Sequence, residues 1–286
     1  MKNKWQNMSD DEREFAYNPK TSVLDHEEYQ NLATCSALKF RNSQQNKHLN
    51  IRYGKRKKQK LDIFLPKKFP KNSPVQVYFH GGYWVSRDKY DHSHLALSSI
   101  NNNIIHVSVN YDLCPDVPLN IIVEESLECI NWVIKNIRSY GGNPFNINLV
   151  GHSAGAHLVA MILNKHKNSI DFNINSAALI SGIYNPIITK YLKVNEKIKI
   201  TEKVVKLTNV FNYNLSIRTN ILVVIGELEP KEWAELSKEY IIWLKEYDII
   251  TSLYIAKGLN HFSIIKSLAN PKSILSKKLI NLAKNK

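Results

Sequence analysis

Five residues, Gly151-His152-Ser153-Ala154-Gly155, stand between the apolar run "NINLV" at 146–150 and the helix-forming run "AHLVAMILNKH" that starts at Ala156. A strand that passes at once into a helix leaves almost no room for side chains at the turn. Gly151 and Gly155 relieve that crowding, and the small Ala154 helps. A Gly-x-Ser-x-Gly turn of this kind lifts the serine hydroxyl above the end of a sheet, at the N-terminus of the next helix. There the helix dipole and free N–H groups favour developing negative charge. The segment therefore demands a buried strand followed directly by a helix, and it makes Ser153 a candidate nucleophile.

The rest of the chain repeats that alternation. "NIRYG" and "KLDIFLP" read as a strand pair near 50–66, and "PVQVYFHGG" at 74–82 as a buried strand running into a tight glycine loop. Further strands are expected at 103–113, 146–151, 174–182, 218–227 and 249–258, and helices at 120–137, after Ala154 and at 230–247. The tail from Phe262 and residues 1–45 also read as helical, the latter with "YNP" at 17–19 as a turn. Strands alternating with helices imply an α/β fold with a mostly parallel central sheet and helices on both faces. The expectation is one domain over 1–286, with an N-terminal helical extension at 1–45 and a lid or insertion at 183–217, the least regular stretch.

The totals narrow the function classes. The net charge of +14 invites a nucleic-acid or membrane reading, but Lys is spread along the chain and the one dense cluster is "GKRKKQK" at 54–60. Between two strands such a run is a solvated loop, and no nucleic-acid-binding motif accompanies it. No apolar run is long enough to cross a bilayer, and the charged start lacks the apolar core of a secretory leader. Cys35, Cys114 and Cys129 are odd in number and widely spaced, so a reducing cytoplasm is the expected compartment. Partners are expected to be small molecules, with neither nucleic acid nor membrane; assembly as a homodimer is left open.

An acyl-transfer serine needs a base, an acid that orients it, and donors for the oxyanion. In a strand–elbow–helix fold the order is Ser, then Asp or Glu, then His. His261, in "GLNHFS" after the last strand, is the candidate base; His152 and His157 read as packed or capping imidazoles. The acid should follow "NILVVIG". Glu227 and Glu229 both do, Glu229 being favoured as deeper in the loop, with Asp248 a weak third. "HGGYW" at 80–84 supplies the oxyanion loop, with the N–H of Gly82 or Tyr83 joined by that of Ala154. "DHSH" at 91–94 lacks a third well-spaced ligand, so no metal is expected, and the chemistry needs no cofactor.

At these residues the chain resembles the α/β-hydrolase fold, and within it the kynurenine formamidase (arylformamidase) group. The resemblance rests on "HGGYW" at 80–84, "GHSAGAHL" at 151–158, "SGIY" at 181–184, "YNP" near the start, "LDIFLP" and "HF" at 261–262. It implies Ser153 as nucleophile, Glu229 as acid and His261 as base. The group's acid loop usually continues as Ser-Pro-Glu-Phe, whereas here Pro230 follows Glu229 directly, one place early. The reaction implied is hydrolysis of N-formyl arylamines, N-formyl-L-kynurenine above all, a step of tryptophan catabolism. Trp84, Tyr83 and Tyr184 are then aromatic candidates for a flat leaving group, with Trp84 and Tyr184 expected at the substrate, although each also fits ordinary packing; the carboxylate of N-formylkynurenine would want a cation or donor, and Arg87 lies near the oxyanion loop but reads as solvent-exposed. The competing readings are a carboxylesterase for small acyl esters, a hydrolase-fold binding protein without chemistry, and a basic surface-binding protein.

Overall fold

The structure, a computed structural model, describes residues 4–68, 71–165 and 174–284. Eight strands form a sheet in the order β1-β2-β4-β3-β5-β6-β7-β8. They are β1 (Lys47–Arg52), β2 (Lys60–Phe64), β3 (Ser73–Phe79), β4 (Ile105–Val109), β5 (Gly142–His152), β6 (Ile174–Ile180), β7 (Asn220–Gly226) and β8 (Thr251–Ala256). β2 runs antiparallel to both β1 and β4, while β4, β3, β5, β6, β7 and β8 are parallel. The parallel core explains the nearly unbroken apolar run of β7, because both faces of the strand are covered; β4, Ile-His-Val-Ser-Val, is buried throughout although it alternates apolar with polar residues.

Side chains alternate between the two faces, as the strand period requires. Val75, Val77 and Phe79 of β3 join Ile221, Val223 and Ile225 of β7 in one core. Tyr78, Val150, Leu222 and Val224 join the other. The first face is covered by α5 (Leu119–Asn136), α6 (Ala154–Lys165) and α9 (Lys231–Lys245). The second is covered by α10 (Ser263–Ala269) and α11 (Ile274–Lys284). This is an α/β-hydrolase fold. No helix among the described residues is long and apolar enough to cross a membrane.

The N-terminal extension is helical, as its sequence implies: α1 (Asp10–Tyr17), the single turn α2 (Pro19–Ser22) and α3 (His26–Ser43). Ser9 and Glu12 form a reciprocal capping box at the start of α1. Asn18 caps α2, with Pro19 at its first position. A buried charge cluster fastens α3 to the sheet. Asp62 on β2, fully buried, takes Arg41 Nη1 at 2.5 Å and Lys89 Nζ at 3.0 Å. Deleting one partner of such a buried set leaves a desolvated charge, so it acts as a fastener. A short helix, α4 (Ala96–Ile100), precedes β4. The 183–217 stretch folds into single turns, among them α7 (Asn195–Ile198) and α8 (Glu202–Thr208). Ile188 and Leu192 of that stretch bury against Trp5, Ala16 and Tyr17, which locks it to the extension. The basic run at 54–60 links β1 to β2 with Lys55, Arg56 and Lys57 exposed, as its charge demands.

Candidate active site

The chemistry-bearing residues gather beyond the C-terminal ends of the parallel strands, where loops from β3, β5, β6, β7 and β8 converge. At the end of β5 the chain turns sharply through Ser153, which sits at φ 54° between strand and helix. The turn is held by Ser153 N–H donating to Ile180 O (2.8 Å). Its glycines are required by close backbone approach. A Cβ on Gly155 would lie 2.1 Å from the carbonyl oxygen of Phe79, and one on Gly151 would lie 2.3 Å from that of Gly155. The helix can therefore start directly under the end of β3 only with these two residues bare.

His261 follows β8 and meets the loop after β7. Its Nδ1 lies 2.5 Å from Glu229 Oε1, both side chains being almost wholly buried. Facing a carboxylate, Nδ1 carries the proton, which leaves Nε2 as the unprotonated, basic nitrogen. The other oxygen of Glu229 accepts from Ser181 Oγ (2.8 Å) and from the Gly226 N–H (2.8 Å). With both oxygens committed, the carboxylate is fixed in position and in turn fixes the imidazole. Glu227 is exposed and accepts from the Gly258 N–H instead (2.8 Å). Asp248 is exposed in the turn before β8. The structure thus brings Glu229, and neither alternative, to His261, despite the early proline.

Two further residues steady this pair: Ser181, which lay outside the sequence expectations, and His152, which the sequence reads as a packed or capping imidazole. Ser181, at the end of β6, anchors Glu229; its place at the tip of the strand next to β7, within "SGIY", was the available signal. His152 Nε2 lies 3.0 Å from the backbone carbonyl of His261 and so donates to it. Its ring packs 4.7 Å from that of His261. Burial, reinforced by the neighbouring His261, holds His152 far below the usual imidazole range, so it stays a neutral donor. Trp233 closes the other side, its ring centroid 4.7 Å from His261.

Ser153 and His261 line one cavity of about 330 Å³, together with Gly81, Gly82, Tyr83 and His152. The loop after β3 bends through Gly82 at φ 114° and Tyr83 at φ 50°. Among the described residues, the N–H groups of Gly82, Tyr83 and Ala154 take no backbone carbonyl as acceptor. They are free to receive an oxyanion. The remaining wall comes from Asn18, Pro19, Lys20 and Tyr29 of the extension and from Lys193 and Val194 of the 183–217 stretch. Those two walls are tied by Glu14, whose oxygens accept from the Lys193 N–H (2.5 Å) and from Asn18 Nδ2 (2.8 Å). Tyr83 is tied in as well, its hydroxyl donating to the carbonyl of Tyr17.

Trp84 and Tyr184 require correction, because neither lines the cavity. At φ 58° the backbone of Trp84 turns its ring down into the core, fully buried and edge-on to His157 at 5.1 Å. Tyr184, also fully buried, stacks on Tyr240 with ring centroids 3.9 Å apart. Trp84→Ala is accordingly expected to cost about 3–5 kcal/mol of stability, the usual range for emptying a buried aromatic site. It should lower turnover of aryl formamides and acetyl esters in equal proportion. Thermal melts, with kcat/KM on one substrate of each kind, check this; a selective loss on the formamide would put the ring back at the substrate. Arg87 also departs from expectation. Its side chain is only 23% exposed and lines the cavity. "DHSH" lies on a 3-10 turn over Lys89–Leu95, where His92 reaches the cavity wall.

Known proteins resemble this chain over comparable lengths. The BD-FAE family model matches residues 61–202. The kynurenine formamidase of Danio rerio is 30% identical over 97% of this chain and 98% of its own. That of Salmo salar is 30% identical over 82% of this chain and 81% of its own. A crystal structure of a chain from a Silicibacter species, assigned as a thioesterase, superposes with a TM-score of 0.81 at 27% identity, covering 94% of this chain and 98% of that one. Formamidase and esterase relatives on this fold make the protein a hydrolase. Identity of 30% sustained across almost the whole of both chains places this one in the kynurenine formamidase family.

Proposed function

We propose that the protein is a serine hydrolase that cleaves N-formyl arylamines, converting N-formyl-L-kynurenine to L-kynurenine and formate in tryptophan catabolism. The observation that carries the reading is the buried His261–Glu229 pair, with Nε2 left basic, in the cavity that Ser153 also lines. Its kinship to formamidases selects the substrate among the acyl compounds such a site can cleave.

In this reading Ser153 Oγ attacks the formyl carbon while His261 Nε2 takes the hydroxyl proton. Glu229 keeps the imidazole in the right tautomer and stabilises the imidazolium. The Ala154 N–H and that of Gly82 or Tyr83 hold the oxyanion. The imidazolium then protonates the aniline nitrogen, which leaves with the C–N bond broken and Ser153 formylated. Water, deprotonated by His261, attacks the formyl-serine; formate departs and Oγ regains its proton. No metal or cofactor enters. The extension and the 183–217 stretch serve as the roof over the site. A cytoplasmic setting belongs to the same reading, since Cys35, Cys114 and Cys129 are all free thiols, as a reducing compartment keeps them.

The test is purified protein assayed on N-formyl-L-kynurenine beside p-nitrophenyl acetate. The expected result is a kcat/KM for the formamide well above that for the ester. Ester hydrolysis with no formamide hydrolysis would make the protein a carboxylesterase.

A further inference from the structure

The cavity carries an ionic feature that acyl transfer itself does not use. Arg87 lies five residues beyond Gly82, on the same loop after β3, so the loop that offers oxyanion donors also offers a guanidinium. The side chain is 23% exposed and lines the cavity, and its backbone is held at φ 79°. Loss of solvent around it lowers its pKa from the usual arginine value, although an arginine stays charged throughout the working range. A guanidinium that has given up much of its hydration normally recovers it in hydrogen bonds.

Arg87 recovers little within the chain. Its nearest carboxylate is Asp91, with Nη1 4.0 Å from Oδ2, at the outer limit of an ion pair and beyond hydrogen-bonding distance. Asp91 is already engaged, accepting from Thr34 Oγ1 (3.0 Å) and from the Asp88 N–H (3.1 Å). Arg87 thus lines the cavity with no hydrogen bond to its guanidinium from among the described residues. The surroundings reinforce its sign. Lys20, Lys193 and Lys197 stand at the rim against Asp91 and Glu196.

We infer that Arg87 binds the carboxylate of the leaving group, so that the site selects arylamines whose side chain ends in a carboxylate. A carboxylate matches the arginine fork with two parallel N–H···O bonds, whereas a neutral arylamine would leave the guanidinium desolvated and unpaired. The formyl carbon is then fixed at Ser153 by the oxyanion donors and the far end of the substrate by Arg87, both set by one loop. This placement of the leaving group rests on the proposed formamidase reaction.

The test uses the whole protein and a reporter reaction independent of formamide cleavage. Hydrocinnamate and its uncharged amide, hydrocinnamide, are compared as competitive inhibitors of p-nitrophenyl acetate hydrolysis. Each variant is read as the ratio of its two inhibition constants, so altered ester turnover cancels. The native protein is expected to prefer the acid by roughly thirty-fold, the scale of one charge-assisted pair. Arg87→Met should bring the ratio close to one, and Arg87→Lys, which keeps the charge without the fork, should restore part of it. Equal inhibition by acid and amide in the native protein overturns the inference without any variant. So does a preference that survives in folded Arg87→Met, which would pass the role to the rim lysines. If the preference vanishes with Arg87→Met while N-formyl-L-kynurenine is not hydrolysed, the anion site stands and the formamidase reading falls.

Discussion

Ser153→Ala is expected to reduce kcat by about a million-fold on formamide and ester alike, the scale for losing a triad nucleophile. The substitution removes one hydroxyl and nothing else. Ser153 takes its backbone conformation from the turn at the end of β5, fixed by the N–H bond to Ile180 and by two glycines whose neighbours admit no Cβ. Alanine fits that turn as serine does, so the melting temperature should hold, and a folded, inactive protein is the outcome sought. The His261–Glu229 pair should persist, because none of its bonds passes through Ser153. Near-native turnover by this variant would remove Ser153 from the chemistry and the proposed mechanism with it.

The elbow was legible in sequence because its requirement is steric and local: two bare positions around one small hydroxyl. The parallel core was legible for a related reason, since a strand covered on both faces tends to run apolar, as β7 does, and the strands alternate with helices along the chain. What sequence spacing could not supply was the direction of side chains on loops. Trp84 adjoins the oxyanion loop in sequence, but a left-handed turn at Tyr83 and Trp84 sends its ring into the core. Arg87, three residues on, also has a positive φ and lines the cavity. Tyr184 reads as a candidate for the leaving group or as ordinary packing, and its stacking partner, Tyr240, which decides for packing, lies 56 positions away on α9. The 183–217 stretch reads in sequence as a lid or insertion, but its pairing with the N-terminal extension is not legible there. The extension reads as helical and the stretch as irregular, and neither sequence points to the other as its partner. Only the buried contacts of Trp5 and Tyr17 with Ile188 and Leu192, and the Glu14 link to Lys193, bring them over the site.

The acid gives the sharpest test of how the site is wired, because the three contacts of Glu229 leave a glutamine in its place no good orientation. Oε2 accepts from two donors, Ser181 Oγ and the Gly226 N–H, while Oε1 faces the protonated Nδ1 of His261. In Glu229→Gln the amide oxygen can satisfy the two donors only if the amide nitrogen turns toward His261. That nitrogen is a donor and cannot face a second one, so the imidazole must move its proton to Nε2 and accept at Nδ1. Nε2–H then meets the Ser153 hydroxyl with nothing to offer as a base. The reverse amide orientation restores the tautomer but sets an NH₂ group against Ser181 and the Gly226 N–H. Either way the imidazolium loses its counter-charge. The expected loss in kcat is roughly a thousand-fold or more, as for other triad acids replaced by their amides, with little change in stability. Glu227→Gln supplies the contrast. Glu227 is exposed and holds a single backbone N–H, that of Gly258, which an amide oxygen accepts equally well. Its loss should be no more than a few-fold. Steady-state kinetics on both variants, with melting curves as the control, decide between them: a larger loss in Glu227→Gln than in Glu229→Gln would transfer the acid role to Glu227 and dissolve the mechanism's link between Ser181 and His261.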